Sequence, residues 1–186
     1  MKMEGLRYKV CLSLLASLAI VIHTLESAFP TPFPWLKFGL ANIITLATIV
    51  LFGFRAGMTV TLLRVFVGSI LSGTFLTPAF LMALTGGVAS TVVLSAAFRY
   101  LTPAFSIIGI SIMGAYTHTL VQVLVAYLVL VRHFQIFLLL PILLTFSLLA
   151  GLLSGIGADF LVRHLKSTTA IREITALRER TASRLP

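Results

Sequence analysis

The chain has 186 residues, 59% of them hydrophobic and 10% charged, with a formal net charge of +9 and a mean hydropathy of +1.09. Soluble domains are about half apolar and about a quarter charged, so a water-soluble globule is excluded. A separate soluble catalytic domain is excluded too, because the only extended polar segment is 163–186.

A spanning helix takes about 20 apolar residues, and the apolar stretches predict an all-α integral membrane protein of six transmembrane helices. The first covers about 8–28 and reads as a retained helix, since its basic start has no clear small-residue cleavage site after it. It stops at Phe29-Pro30-Thr31-Pro32-Phe33-Pro34-Trp35, where three prolines forbid helix. The second covers about 38–52, and Gly53-Phe54-Arg55-Ala56-Gly57 predicts a tight connection to a third at about 58–73. Both are short, which places them inside the bundle or at lined cavities. A fourth span runs from Pro78 to about 98, a fifth over 106–131, and a sixth over 134–162 that tilts or kinks at Pro141. The domain division is a membrane domain over 1–166 and a basic tail over 167–186.

Cytoplasmic connections carry an excess of Lys and Arg. With six spans both termini share a side, which holds Lys2, Arg7, Lys9, Arg55, Arg99, Arg163, Lys166, Arg172, Arg178, Arg180 and Arg184, against Lys37 and Arg132 on the other. Eleven against two predicts cytoplasmic termini and an external Pro-rich loop. The same distribution argues against nucleic acid as a partner, because the basic residues are scattered over short loops. Over 171–180 the tail reads either as an amphipathic helix on anionic lipid or as a solvated segment.

Ionisable groups at membrane depth cost about 2.5 to 3.5 kcal/mol on insertion scales, so each is a candidate for function. Arg64 sits well inside its span and reads either as a ligand-binding residue or as a helix tie paired with Glu26. Glu26 and Lys37 flank the Pro-rich loop and read as site residues or as interfacial charges. Asn42 reads as a site residue or as a helix-to-helix hydrogen bond. Ser111, Ala115, His118 and Gln122 fall on one helical stripe that faces protein or water; His118 reads as a site residue or as a buried structural histidine. His118 and His133 are too far apart for a metal site, and Asp159 is expected to pair with Arg163. Together Glu26, Trp35, Lys37, Asn42, Arg64, His118 and Gln122 predict an outward-facing cavity for a small anionic or ring-containing solute, with Trp35 supplying a stacking surface. No metal and no cofactor is predicted. Gly151 and Gly155 form a GxxxG pair that reads as internal packing, and Ser13 with Ser17 marks a surface for a membrane partner.

Glu26 with Pro30, the block Lys37-Phe38-Gly39-Leu40-Ala41-Asn42, Arg64-Val65 with Gly68, Gly86-Gly87 with Ser90, Phe105-Ser106 with Gly109, and Gly114-Ala115 with His118 and Gln122 resemble the bacterial membrane family called Gx transporter or heptaprenyl diphosphate synthase component I. The likeness covers about 8–166. The family is similar in fold to the six-helix S components of energy-coupling factor transporters, which implies a multi-pass protein of the bacterial cytoplasmic membrane that binds or transports a vitamin-, flavin- or isoprenoid-related solute. It also implies an energising module or membrane partner protein. Ser13 and Ser17 stand where those components carry an Ala-xxx-Ala docking motif. The competing expectation is a non-catalytic membrane subunit or scaffold of a prenyl-diphosphate, quinone or flavin-linked electron-transfer system. Catalysis of prenyl diphosphate synthesis is not expected, because that chemistry needs aspartate-rich motifs holding Mg²⁺ and this chain has a single Asp.

Overall fold

A computed structural model describes residues 2–28 and 39–168. Trp35, Lys37 and the rest of the Pro-rich loop, and the tail from 169 onward, lie outside the described residues. The described residues form α1 (Lys2–Ala28), α2 (Leu40–Leu71), α3 (Pro78–Leu101), α4 (Ile107–Ala126) and α5 (Leu140–Ser167). A π turn at Tyr127–Val131 extends α4, and a 3-10 turn at Phe134–Leu139 leads into α5. Five helices are long and apolar enough to cross a membrane, and the described residues contain no strand.

Local chemistry explains where these helices begin. Thr77 accepts a hydrogen bond from the Phe80 N–H at 3.4 Å ahead of Pro78, and Ser106 accepts from the Gly109 N–H at 3.2 Å; both are side-chain N-caps. Pro141 stands in the first turn of α5, where its missing N–H costs nothing. It therefore starts that helix, in place of the kink expected inside a longer span.

The element α2 is 32 residues long but not straight. Gly53 has φ 74° and ψ −173°, a conformation essentially restricted to glycine. In an uninterrupted helix Asn42 and Arg64 would lie about 33 Å apart along the axis. Instead the Arg64 Nη2 donates to Asn42 Oδ1 at 2.6 Å, and a Cβ built on Gly57 would sit 3.6 Å from the Ile49 Cβ. Thus α2 doubles back at Gly53 into two adjacent arms, and the turn takes one residue where a five-residue connection was expected. The hairpin is the most deeply buried element.

Around it the other helices close a bundle. Leu15, Ala16 and Ala19 of α1 pack with Ala47, Phe52 and Val60 of α2 and with Val162 of α5. A second cluster joins Leu46 and Ile49 to Leu94, Ile110 and Ala158. Lipid gives helices no hydrophobic reason to associate, so close approach and hydrogen bonds carry more of the association. Cβ atoms on Gly151 and Gly155 would come within 2.9 Å of the Ile112 Cα and 2.7 Å of the Ile108 Cα. The GxxxG pair therefore serves internal packing of α5 on α4. Cross-helix bonds tie the bundle, among them Thr61 to Thr91 hydroxyls at 2.8 Å, Ser90 Oγ to the Gly114 carbonyl at 2.9 Å, and Ser154 Oγ to the Gly39 carbonyl at 2.9 Å. Asp159 accepts from Arg163 Nε at 2.8 Å, as expected. Ser13 and Ser17 stand on an exposed face of α1 with Leu14, Leu18, Val21 and Leu25.

Because Gly53 holds a conformation that a Cβ opposes, Gly53→Ala is expected to destabilise the protein by about 1 to 3 kcal/mol. Gly5→Ala is the control: Gly5 is an exposed position of α1 with nothing within 4 Å of an added Cβ, and alanine there favours the helix. Thermal melting in detergent should show a lowered midpoint for the first variant and an unchanged or raised one for the second.

Candidate functional site

The hairpin and the four helices packed about it leave a cavity of about 330 Å³. From α1 come His23, Glu26 and Ser27, which share a face at spacings of three and four. The arms of α2 supply Asn42 and Leu46 on one side and Arg64, Val65 and Ser69 on the other. Phe80, Ala83, Ser90 and Leu94 of α3 and Ser147, Ala150 and Ser154 of α5 complete the wall with α4. The predicted stripe on α4 is present as a unit: Ser111, Ala115, His118 and Gln122 all line the cavity.

Arg64 is buried, with 4% of its surface exposed. Its Nη2 bonds the neutral amide oxygen of Asn42, and no described atom partners its Nε. Of the two expectations for a tie, the observed one is Asn42; the Glu26 carboxylate is engaged elsewhere. Glu26 Oε1 accepts the Leu40 N–H at 2.7 Å and Oε2 the Ala41 N–H at 3.4 Å. The reason lies in the local sequence. The N-cap of α2 is Gly39, at φ 77°, which has no side chain to bond the first free N–H groups of the helix. A carboxylate from the end of α1 does this across the loop, at the positive end of the helix dipole. Glu26 is thus neither an interfacial charge nor an ion-pair partner in direct contact with Arg64.

Five of the seven predicted site residues, Glu26, Asn42, Arg64, His118 and Gln122, are therefore brought to one cavity. Trp35 and Lys37 lie outside the described residues. Sequence reasoning missed His23, Ser69, Ser147 and Ser154, and reached Ser90 only as one of the residues that carry the family resemblance. The spacing of His23 from Glu26 carried a signal, since both fall on one face of α1. The serines carried none, because a serine in an apolar helix commonly bonds its own preceding turn, as Ser69 does to the Phe66 carbonyl at 2.9 Å.

The family profile described as heptaprenyl diphosphate synthase component I matches residues 15–161. The chain belongs to this family. The match takes in α2, α3 and α4 whole and most of α1 and α5, so it covers every described helix that contributes to the cavity. No curated protein and no solved structure matches the chain. With five long apolar helices, this member of the component I family is a multi-pass membrane protein.

Removal of the Glu26 carboxylate leaves two N–H groups at the partly buried start of α2 without a partner, at a cost of about 1 to 3 kcal/mol. Glu26→Ala should accordingly lower the thermal midpoint in detergent. Glu26→Gln, which keeps an acceptor oxygen for Leu40, should lower it less. A Glu26→Ala protein as stable as the wild type would remove the capping role.

Proposed function

We propose that the protein binds a small solute in this cavity and serves its passage across the bacterial cytoplasmic membrane. The observation that carries the reading is the convergence of Arg64, Asn42, His118 and Gln122, from both arms of the hairpin and from α4, on one cavity of about 330 Å³. Charged and amide side chains are costly at membrane depth and are retained where they meet one another, water or a ligand. A volume near 330 Å³ is at the small end of ligand pockets, which run from about 300 to 1,000 Å³. It suits a compact vitamin- or flavin-related solute better than a long prenyl chain.

In this reading each arm of α2 counts as a span, which makes six, arranged as in the S components of energy-coupling factor transporters. The basic residues of the connections and tail set both termini in the cytoplasm. The ends of α1 and α3 that carry Glu26 and Phe80 then face outward, so the cavity opens to the outside. The protein is not itself a catalyst of prenyl diphosphate synthesis, since a single Asp cannot supply the acidic clusters that hold Mg²⁺ on a diphosphate.

A second reading is favoured by the family name, which describes one component of a larger system. The exposed apolar face of α1 offers such a partner a surface on which Ser13 and Ser17 allow close approach. In that reading the protein is a non-catalytic membrane subunit.

Native mass spectrometry of protein extracted in mild detergent separates the two. Solute binding predicts a specific small molecule retained by the wild type and lost from Ala83→Phe, which fills the cavity from α3. A stoichiometric partner protein with no retained small molecule would contradict it and favour the subunit.

A further inference from the structure

The wall of the cavity holds a primary amide that has no partner among the described residues and is still open to the cavity. Gln122 of α4 is 7% exposed and lines the cavity. Its amide bonds no described residue, and neither of its polar atoms is sealed in the wall as Arg64 Nε and Ser147 Oγ are. An unmade hydrogen bond in such a place costs more than a made one gains. The neighbours of Gln122 are fixed by two adjacent glycines of α3. A Cβ built on Gly86 would stand 3.1 Å from Gln122 Cγ, and one built on Gly87 would stand 4.0 Å from Arg64 Nη2, so one turn of α3 touches both the stem of Gln122 and the guanidinium. With the histidines neutral, the formal charges of the described wall are those of Arg64 and Glu26, and they cancel. Both groups are also engaged, Arg64 with Asn42 and Glu26 with the start of α2.

We propose that Gln122 recognises a lactam edge, a ring carbonyl beside a ring N–H, so that the solute of this cavity is an uncharged heterocycle. The inference rests on the solute-binding reading and specifies its ligand class. A primary amide presents an acceptor oxygen beside an N–H donor. It can therefore bond an adjacent donor and acceptor at once, as amide side chains do on the edge of a nucleobase. The match holds whichever way the amide is turned, because each orientation offers one donor and one acceptor. A net charge on the solute would meet no unengaged opposite charge in the described wall, and its lost hydration would go unreplaced. The apolar faces of the ring fall against Leu46, Val65, Phe80 and Leu94.

The test uses three bicyclic probes: 2-quinolone, its lactone analogue coumarin, in which a ring oxygen replaces the N–H, and the anion quinoline-2-carboxylate. Binding to the protein in lipid nanodiscs is measured by ligand-detected NMR at about pH 8, above the ordinary histidine range, with the signal of empty nanodiscs subtracted. 2-Quinolone should bind at least about tenfold tighter than coumarin, which leaves the Gln122 oxygen without a donor, and tighter than the carboxylate. Gln122→Met removes the amide at nearly the same side-chain length and should bring 2-quinolone and coumarin to within about twofold of each other. Because the amide has no partner in the described protein, the same substitution should leave the thermal midpoint of the ligand-free protein unchanged or raised. A lowered midpoint, or a variant that fails to fold, would show that the amide serves the fold and would overturn the proposal. Equal binding of 2-quinolone and coumarin to the wild type, or an unchanged preference in Gln122→Met, would overturn the lactam edge while leaving solute binding in place. Tighter binding of the carboxylate would overturn the uncharged class. Failure of all three probes to bind would overturn the recognition by Gln122, and the retained compound in native mass spectra would still decide whether the cavity takes a solute.

Discussion

The bundle depends on one backbone reversal. At Gly53 the chain takes a conformation open to glycine alone, and a run of 32 residues becomes two arms side by side. Without it Asn42 and Arg64 would stand at opposite ends of a long helix. With it they are hydrogen-bonded and share a cavity with α1, α3, α4 and α5. The reversal also lets the close approach of Ile49 and Gly57 seal the hairpin, so that Leu46 and Ile49 enter the core that α3, α4 and α5 share.

A second constraint is electrostatic and follows from the first. Folding back exposes the start of α2 at Gly39, a residue with no capping side chain, close to the end of α1. Glu26 fills that need, and Ser154 of α5 bonds the Gly39 carbonyl on the other side. The one carboxylate of the cavity wall is thereby spent on architecture, which leaves the guanidinium of Arg64 with a neutral partner. Capping and site chemistry are coupled here: the residue that orders the hairpin also brings a carboxylate into the wall that holds Arg64, so the two formal charges of the described wall cancel.

Much of this was legible in the sequence, for reasons that differ by residue. Arg64 and Asn42 stood out because polar groups are costly in apolar spans, and Ser111, Ala115, His118 and Gln122 because their spacing matches one helix face. The pairing of Asp159 with Arg163 followed from a separation of four. The role of Glu26 was not legible, since it depends on a helix start fourteen residues away that only the folded chain brings near. Pro141 reads as a kink in a long apolar run, and becomes a helix start because the turn at Phe134–Leu139 precedes it. Ser147 gave no signal, because nothing in an apolar helix distinguishes a serine that faces a cavity from one that bonds its own backbone.

The hairpin itself is open to a direct chemical test. With Cys11 replaced by serine, cysteines at Ile49 and Gly57 would have Cβ atoms about 3.6 Å apart, within the range of about 3.5 to 4.5 Å that disulfides require. In a continuous helix the same residues would be about 12 Å apart along the axis, beyond any disulfide. Mild oxidation followed by thiol counting by mass spectrometry should show both thiols consumed within one chain, while a pair at Leu14 and Ile22, equally spaced within α1, stays reduced. Two free thiols at 49 and 57 after the same oxidation would contradict the hairpin, and with it the meeting of Asn42 and Arg64 on which the cavity is built.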